Sequence, residues 1–155
     1  MAGGFEINEK ALGLGVSLNN TGKNDQTISH ESRTLGDQEI YDLLIRIDEG
    51  YFISETEKQT LSSVTSISWS NIDKLPNSMR LLTSLTSLDL SLARVIDISA
   101  VSNLTSLTSL DLSYTGVSDI SALSHLKFIL SVSICKNNIT KTSHSKNGLR
   151  SLKTQ

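Results

Sequence analysis

From residue 61 onward, apolar residues recur at a fixed spacing that is neither purely helical nor purely extended. Residues 82–103 read LTSLTSLDLSLARVIDISAVSN and residues 104–125 read LTSLTSLDLSYTGVSDISALSH, a period of 22 with the first ten letters identical. A weaker copy, LKFILSVSICKNNITKTSHS, follows, with Leu126, Ile129, Val132, Ile134 and Ile139 at the apolar positions. A shorter copy precedes them, carried by Leu61, Val64, Ile67, Trp69, Ile72, Leu75, Met79 and Leu82. The shared L-x-L step has period two, so both residues project to one side of a short strand. The three-residue steps around it suit tight turns or single 3₁₀ turns that face the same interior. One such coil cannot bury its leucines, whereas stacked coils bury them in a continuous column. The pattern predicts an α/β solenoid of about four 21–22-residue coils over residues 61–141.

Upstream the period changes. Ile40, Leu43, Leu44 and Ile47 form one apolar stripe at helical spacing within DQEIYDLLIRIDE. Thr34 stands where a cap could begin, and Gly50 stands where a helix commonly stops. Ser54-x-x-Glu57 reads as a capping box opening a second short helix. Residues 37–60 are therefore expected to form a helical cap over the open end of the leucine column, as solenoids require. Trp69 aligns with Leu90, Leu112 and Ile134, so it should point inward at the junction of cap and repeats. Tyr41, Tyr51 and Phe52 suit the cap or its edge. Residues 1–36 read as mostly disordered, with alternating Leu12, Leu14, Val16 and Leu18 as a candidate edge strand, and residues 142–155 as a basic flexible tail. Leu149 and Leu152 in that tail could fold back over the last coil.

The stretches SLTSLDLSLARVIDISAVSNL and SLTSLDLSYTGVSDISALSHL resemble bacterial leucine-rich repeat proteins of the internalin type. IDKLPNSMRLLTSLTSLDLS looks like the L-P variant of the same repeat. The resemblance covers roughly residues 61–140 and implies a leucine-rich repeat solenoid used for protein recognition. The family's usual asparagine after the strand is replaced by Ala93 and Thr115 in two copies and kept as Asn137 in the third. Thr can still hydrogen-bond backbone and Ala cannot, so the turn at Ala93 should be less well supported.

Composition agrees with this frame. Only 37% of the 155 residues are hydrophobic and 5% aromatic, a thin supply for an ordinary globule but sufficient if concentrated at inward positions. One cysteine, Cys135, excludes an internal disulfide framework and the multi-cysteine zinc classes. No run of apolar residues is long enough to span a membrane, and the N-terminus does not read as a signal peptide. An intracellular site is therefore favoured, with leaderless secretion left open. Residues 1–60 hold five Lys/Arg against eleven Asp/Glu, a net −6, and the remainder is net +4. From Leu126 on there are six basic residues and no acid. That density is sparse, and no aromatic follows Phe128 to stack on a base, so nucleic acid is a disfavoured partner.

Catalysis needs convergent groups, and the sequence offers none. His30 lies in the N-terminal segment, His125 at a repeat boundary and His144 in the tail. Their spacing with Cys135 matches no standard metal-ligand set, so neither metal nor cofactor is expected. Cys135 itself reads as an accessible thiol. Asn19, Asn103 and Asn138 each begin an Asn-x-Ser/Thr acceptor sequence, matches that arise by chance in a chain rich in Ser, Thr and Asn.

The functional expectation rests on the strand face that does not point inward. Alternation places Ser66, Ser68 and Ser70, then Ser87, Asp89 and Ser91, then Ser109, Asp111 and Ser113, then Ser131, Ser133 and Cys135 on it. Stacking should align Ser68, Asp89, Asp111 and Ser133 as a centre row, framed by Arg94, Tyr114 and Lys136. Ser68, Asp89, Asp111, Ser133, Arg94 and Tyr114 are the candidate protein-binding residues of a non-enzymatic module. The alternative is a targeting or scaffold fragment of a larger enzyme or secreted effector. Leucines left bare on the last coil would also favour weak self-association.

Overall fold

The computed structural model describes residues 34–141 and the backbone of residues 152 and 153. The candidate strand at Leu12–Leu18, His30 and His144 lie outside the described residues. Two helices, α1 (Asp37–Asp48) and α2 (Glu55–Ser63), precede strands β1 (Ser66–Ser68), β2 (Ser87–Asp89), β3 (Ser109–Asp111) and β4 (Ser131–Ser133). Five-residue 3₁₀ helices at Asn77–Leu81, Ser99–Asn103 and Ser121–His125 separate the strands. All strands run parallel in sequence order. A short fifth strand, β5 (Leu152–Lys153), pairs with β4. From sequence, residues 142–155 are expected to be a flexible tail whose Leu149 and Leu152 could fold back over the last coil; of these residues, the backbone of Leu152 and Lys153 lies beside β4 in the sheet. The tail has no repeated L-x-L step to signal this strand.

The repeat template is the packing diagram. Ile67, Leu88, Leu110 and Val132 pair in register and are all buried, as are Trp69, Leu90, Leu112 and Ile134. Leu82, Leu85, Leu104, Leu107, Leu126 and Ile129 fill the approach to each strand. Val95, Ile98, Val101, Val117, Ile120 and Leu123 fill the return. Each coil thus lays its apolar residues on those of its neighbours, and the core is one continuous column.

Hydrogen bonds between coils extend beyond the three-residue strands. The amides of Thr86 and Thr108 donate to Thr65 O and Thr86 O at 2.9 Å, and their hydroxyls donate to the same oxygens at 3.0 Å. Past the strands, the amides of Trp69, Leu90 and Leu112 donate to Asp89 O, Asp111 O and Ser133 O at 2.8 Å. The turn position of the missing asparagine behaves as its chemistry dictates. Thr115 Oγ1 donates to Leu112 O at 2.7 Å, and Asn137 Nδ2 donates to Leu112 O at 2.8 Å and to Thr115 Oγ1 at 3.0 Å. Ala93 contributes only its amide, to Leu90 O at 3.0 Å, and is buried.

The cap forms where the helical stripe predicts it. Ile40, Leu43 and Leu44 of α1 and Leu61 of α2 are buried against the first coil. Gly36, not Thr34, is the N-cap of α1; its amide donates to Glu39 Oε2 at 2.9 Å. Gly50 ends the helix with φ +100°, and the Tyr51 amide returns to Arg46 O at 2.9 Å, which closes the last turn. Ser54 and Glu57 make the reciprocal capping box: the Glu57 amide donates to Ser54 Oγ at 3.2 Å and the Ser54 amide to Glu57 Oε2 at 2.8 Å. Between the helices, Tyr51 and Ile53 pack on the core, so alternation turns Phe52 outward to 95% exposure rather than into the cap. The Arg46 guanidinium sits 4.2 Å from the centre of the Tyr51 ring.

Polar contacts fix the cap on the solenoid. Asp48 accepts the amides of Asn77 and Ser78 at 2.6 and 2.8 Å, capping the first 3₁₀ helix from another element. The fully buried Ser78 donates its hydroxyl to Leu44 O at 2.6 Å. Asp37 accepts the Ser68 amide at 2.8 Å, so α1 covers part of the free edge of β1.

Candidate strand-face binding site

The sheet brings the expected centre row together. Ser68 pairs with Asp89, Asp89 with Asp111 and Asp111 with Ser133, one from each of four coils. Ser68 is exposed, and Asp89, Asp111 and Ser133 are half-buried. Ser66, Ser87, Ser109 and Ser131 form a second row in the same register. Arg94 and Tyr114 are exposed beyond the strands.

The two aspartates do more than face solvent. Asp89 Oδ1 accepts the Ser91 amide at 2.9 Å, and Asp111 Oδ1 accepts the Ser113 amide at 2.8 Å. Asp97 and Asp119 hold Ser99 and Ser121 in the same way, each at 2.8 Å. All four are Asp-x-Ser sequences, and the geometry is the Asx turn that this pair of residues favours. One oxygen of each carboxylate therefore shapes the turn after it. Asp89 Oδ2 also accepts the Ser68 hydroxyl at 3.3 Å.

Ser113 departs from the expected exposed face. It is buried, and the Cys135 amide donates to its hydroxyl at 3.3 Å. Simple alternation ends where the strand ends, because the chain after Leu112 turns over the edge of the sheet. Cys135 is half-buried at the equivalent step of the next coil. A shallow open depression of about 580 Å³ lies there, lined by Ser91, Leu92, Asp111, Tyr114, Cys135 and Lys136. Leu92 is a surface feature that strand alternation passes over: it is 65% exposed beside Tyr114 at 56%.

A second depression, of about 510 Å³, lies along the 3₁₀ side between Ile96, Asp97, Ser99, Asp119, Ser121 and His125. Hydrogen bonds from the Ser121 hydroxyl and amide hold the Asp119 carboxyl below its usual range, with Lys141 at 3.8 Å adding to the effect. Among the described residues no three His, Cys, Asp or Glu side chains converge as a metal-binding group. No described helix is long and apolar enough to cross a membrane.

The architecture has counterparts among solved structures. An internalin from Listeria monocytogenes aligns with a TM-score of 0.52 at 23% identity, over 72% of this chain and 35% of its own length. An internalin C2 from the same organism aligns with a TM-score of 0.53 at 23% identity, over 66% of this chain and 46% of its own. The chain thus spans less than half the length of either neighbour. No protein-family model matches the chain, and no curated protein matches it significantly.

Proposed function

The fold is the internalin-type leucine-rich repeat solenoid, and we propose that this chain uses it as a non-enzymatic module that binds a protein partner on the exposed face of its parallel sheet. The observation that carries the reading is the in-register row Ser68–Asp89–Asp111–Ser133, with Tyr114 exposed at its rim. Four short strands place these small polar groups side by side on a rigid surface. Tyr and Arg are frequent energetic anchors of interfaces, and Tyr114 and Arg94 supply one of each. The row of serines and turn-holding aspartates supplies a level surface that a partner can approach closely.

Replacing Asp89 or Asp111 by arginine would also remove a turn-forming acceptor, so a different variant tests the reading. Ser109 lies exposed in the middle of the sheet and its hydroxyl has no hydrogen bond among the described residues. Ser109→Arg would add bulk and charge to the face. Ser99→Arg, on the 3₁₀ side, is the matched control. Affinity capture from lysate of the source cell is expected to retain a partner with wild type and Ser99→Arg and lose it with Ser109→Arg. A partner lost only with Ser99→Arg would move the site to the opposite side of the coils.

A further inference from the structure

Leu92, Tyr114 and Lys136 occupy equivalent places in three successive coils, and all have left-handed backbones, with φ of 65°, 60° and 62°. In each case the next amide turns back: Ala93 to Leu90 O, Thr115 to Leu112 O and Asn137 to Ile134 O. This is a type II turn, whose third position favours Gly or Asn. Leucine and tyrosine are costly choices there. Leu92 and Tyr114 are also largely exposed, so burial does not offset that cost. Folding alone would be better served by asparagine at both positions.

Asp111 lines the same shallow depression as Leu92 and Tyr114. Its Oδ1 is engaged by the Ser113 amide at 2.8 Å. Its other oxygen has no hydrogen-bond or ion-pair partner among the described residues, although Lys136 also lines the depression. A free carboxylate oxygen, an exposed phenol ring and an exposed leucine side chain therefore face one space. The centre row adds a second acid, Asp89, and no cation.

We infer that this depression takes an arginine side chain of a polypeptide partner, with the guanidinium on Asp111 and stacked on Tyr114 and the methylenes against Leu92. A guanidinium is planar, weakly hydrated and able to hydrogen-bond at its edge while its face lies on a ring. A lysine ammonium is a strongly hydrated point charge and satisfies the same pair less well. The inference rests on the strand-face reading above and narrows it to one side chain of the partner.

The test is to select peptides from a random phage-displayed library on the full chain and measure their affinities by fluorescence anisotropy. Selected peptides are expected to share an arginine, and changing it to lysine should weaken binding about tenfold. Tyr114→Asn and Leu92→Asn should weaken binding while melting at or above the wild-type temperature, which separates lost recognition from lost fold. Asp111→Asn keeps the turn acceptor and should also weaken binding. Peptides that lack a shared arginine but are blocked by Ser109→Arg would overturn the arginine inference and leave the strand-face reading standing. So would arginine peptides that bind Tyr114→Asn as tightly as wild type. If no peptide is enriched, or none is sensitive to Ser109→Arg, both readings fall.

Discussion

The indole N–H of Trp69 donates to Asp37 O at 2.7 Å, so the first inward aromatic of the solenoid holds the first turn of the cap helix. Tyr41 meets the same indole edge to face, with ring centres 5.3 Å apart, and its hydroxyl donates to Lys74 O at 3.1 Å. Trp69 therefore joins two structural tasks: it fills the end of the leucine column and fixes the helix that covers that end. Replacing it by phenylalanine keeps most of the packing and loses the hydrogen bond, at a cost of about 1 kcal/mol. Replacing it by alanine should cost about 3–5 kcal/mol. Chemical denaturation measures both; equal midpoints for wild type and Trp69→Ala would show that the cap does not depend on this contact.

Gly50 gives a separate measure of cap stability. Its φ is +100°, and a Cβ placed there would meet nothing within 4 Å. The penalty for Gly50→Ala is then one of backbone conformation alone, about 1–2 kcal/mol. Asparagine tolerates that region better, so Gly50→Asn should lose less. Thermal melts of the two variants should rank them in that order.

Tyr114→Asn should act in the opposite direction on stability. The exposed ring is held at a left-handed backbone position that asparagine occupies more cheaply. A gain of up to about 1 kcal/mol is expected in urea denaturation. A clear loss of stability would mean that the ring contributes more to the fold through its neighbours than its exposure implies.

Acid should weaken the turn that precedes the third 3₁₀ helix. Hydrogen bonds from Ser121 are the main cause of the lowered Asp119 pKa, followed by attraction to Lys141. A carboxyl whose folded pKa is lowered contributes stability above its unfolded value, and that contribution is lost as pH falls through the folded pKa. The stability difference between wild type and Asp119→Asn should therefore be full at neutral pH and shrink at the acid end of the carboxylate range. A titration of the Asp119 side chain by NMR showing an ordinary or raised midpoint would contradict the assigned hydrogen bonds.

Much of this architecture is legible in the residues because the repeat couples two periodicities. The alternation in Leu88-Asp89-Leu90 and Leu110-Asp111-Leu112 sets which side of the strand is buried, and the 22-residue offset sets the register that aligns Asp89 with Asp111. Ser54 and Glu57 announce the start of α2 through the capping chemistry they go on to perform. The Asx turns were equally available from the fourfold Asp-x-Ser pattern, but strand alternation alone treats Asp89 and Asp111 as surface groups and misses their bonds to backbone.

Other features leave no such signal. A left-handed turn is normally marked by Gly or Asn, and Leu92 and Tyr114 carry the opposite marker. Ser113 sits on the exposed parity of its strand yet is buried, because the chain bends over the sheet edge immediately after Leu112. The pairing of Leu152–Lys153 with β4 depends on backbone bonds rather than on a repeated apolar pattern. Thr115 could be foreseen as a partial substitute for asparagine from its hydroxyl. That Asn137 of the next coil would donate to that same hydroxyl follows only from the stacked geometry.

Protein recognition through the strand face and its Tyr114 rim, as proposed above, should leave a footprint on the backbone. Hydrogen exchange on the chain, alone and with its captured partner bound, reads that footprint residue by residue. Slowed exchange is expected across residues 87–92, 109–114 and 131–136, with the 3₁₀ segments at Ser99–Asn103 and Ser121–His125 unchanged. Protection confined to those 3₁₀ segments or to the helical cap would contradict it.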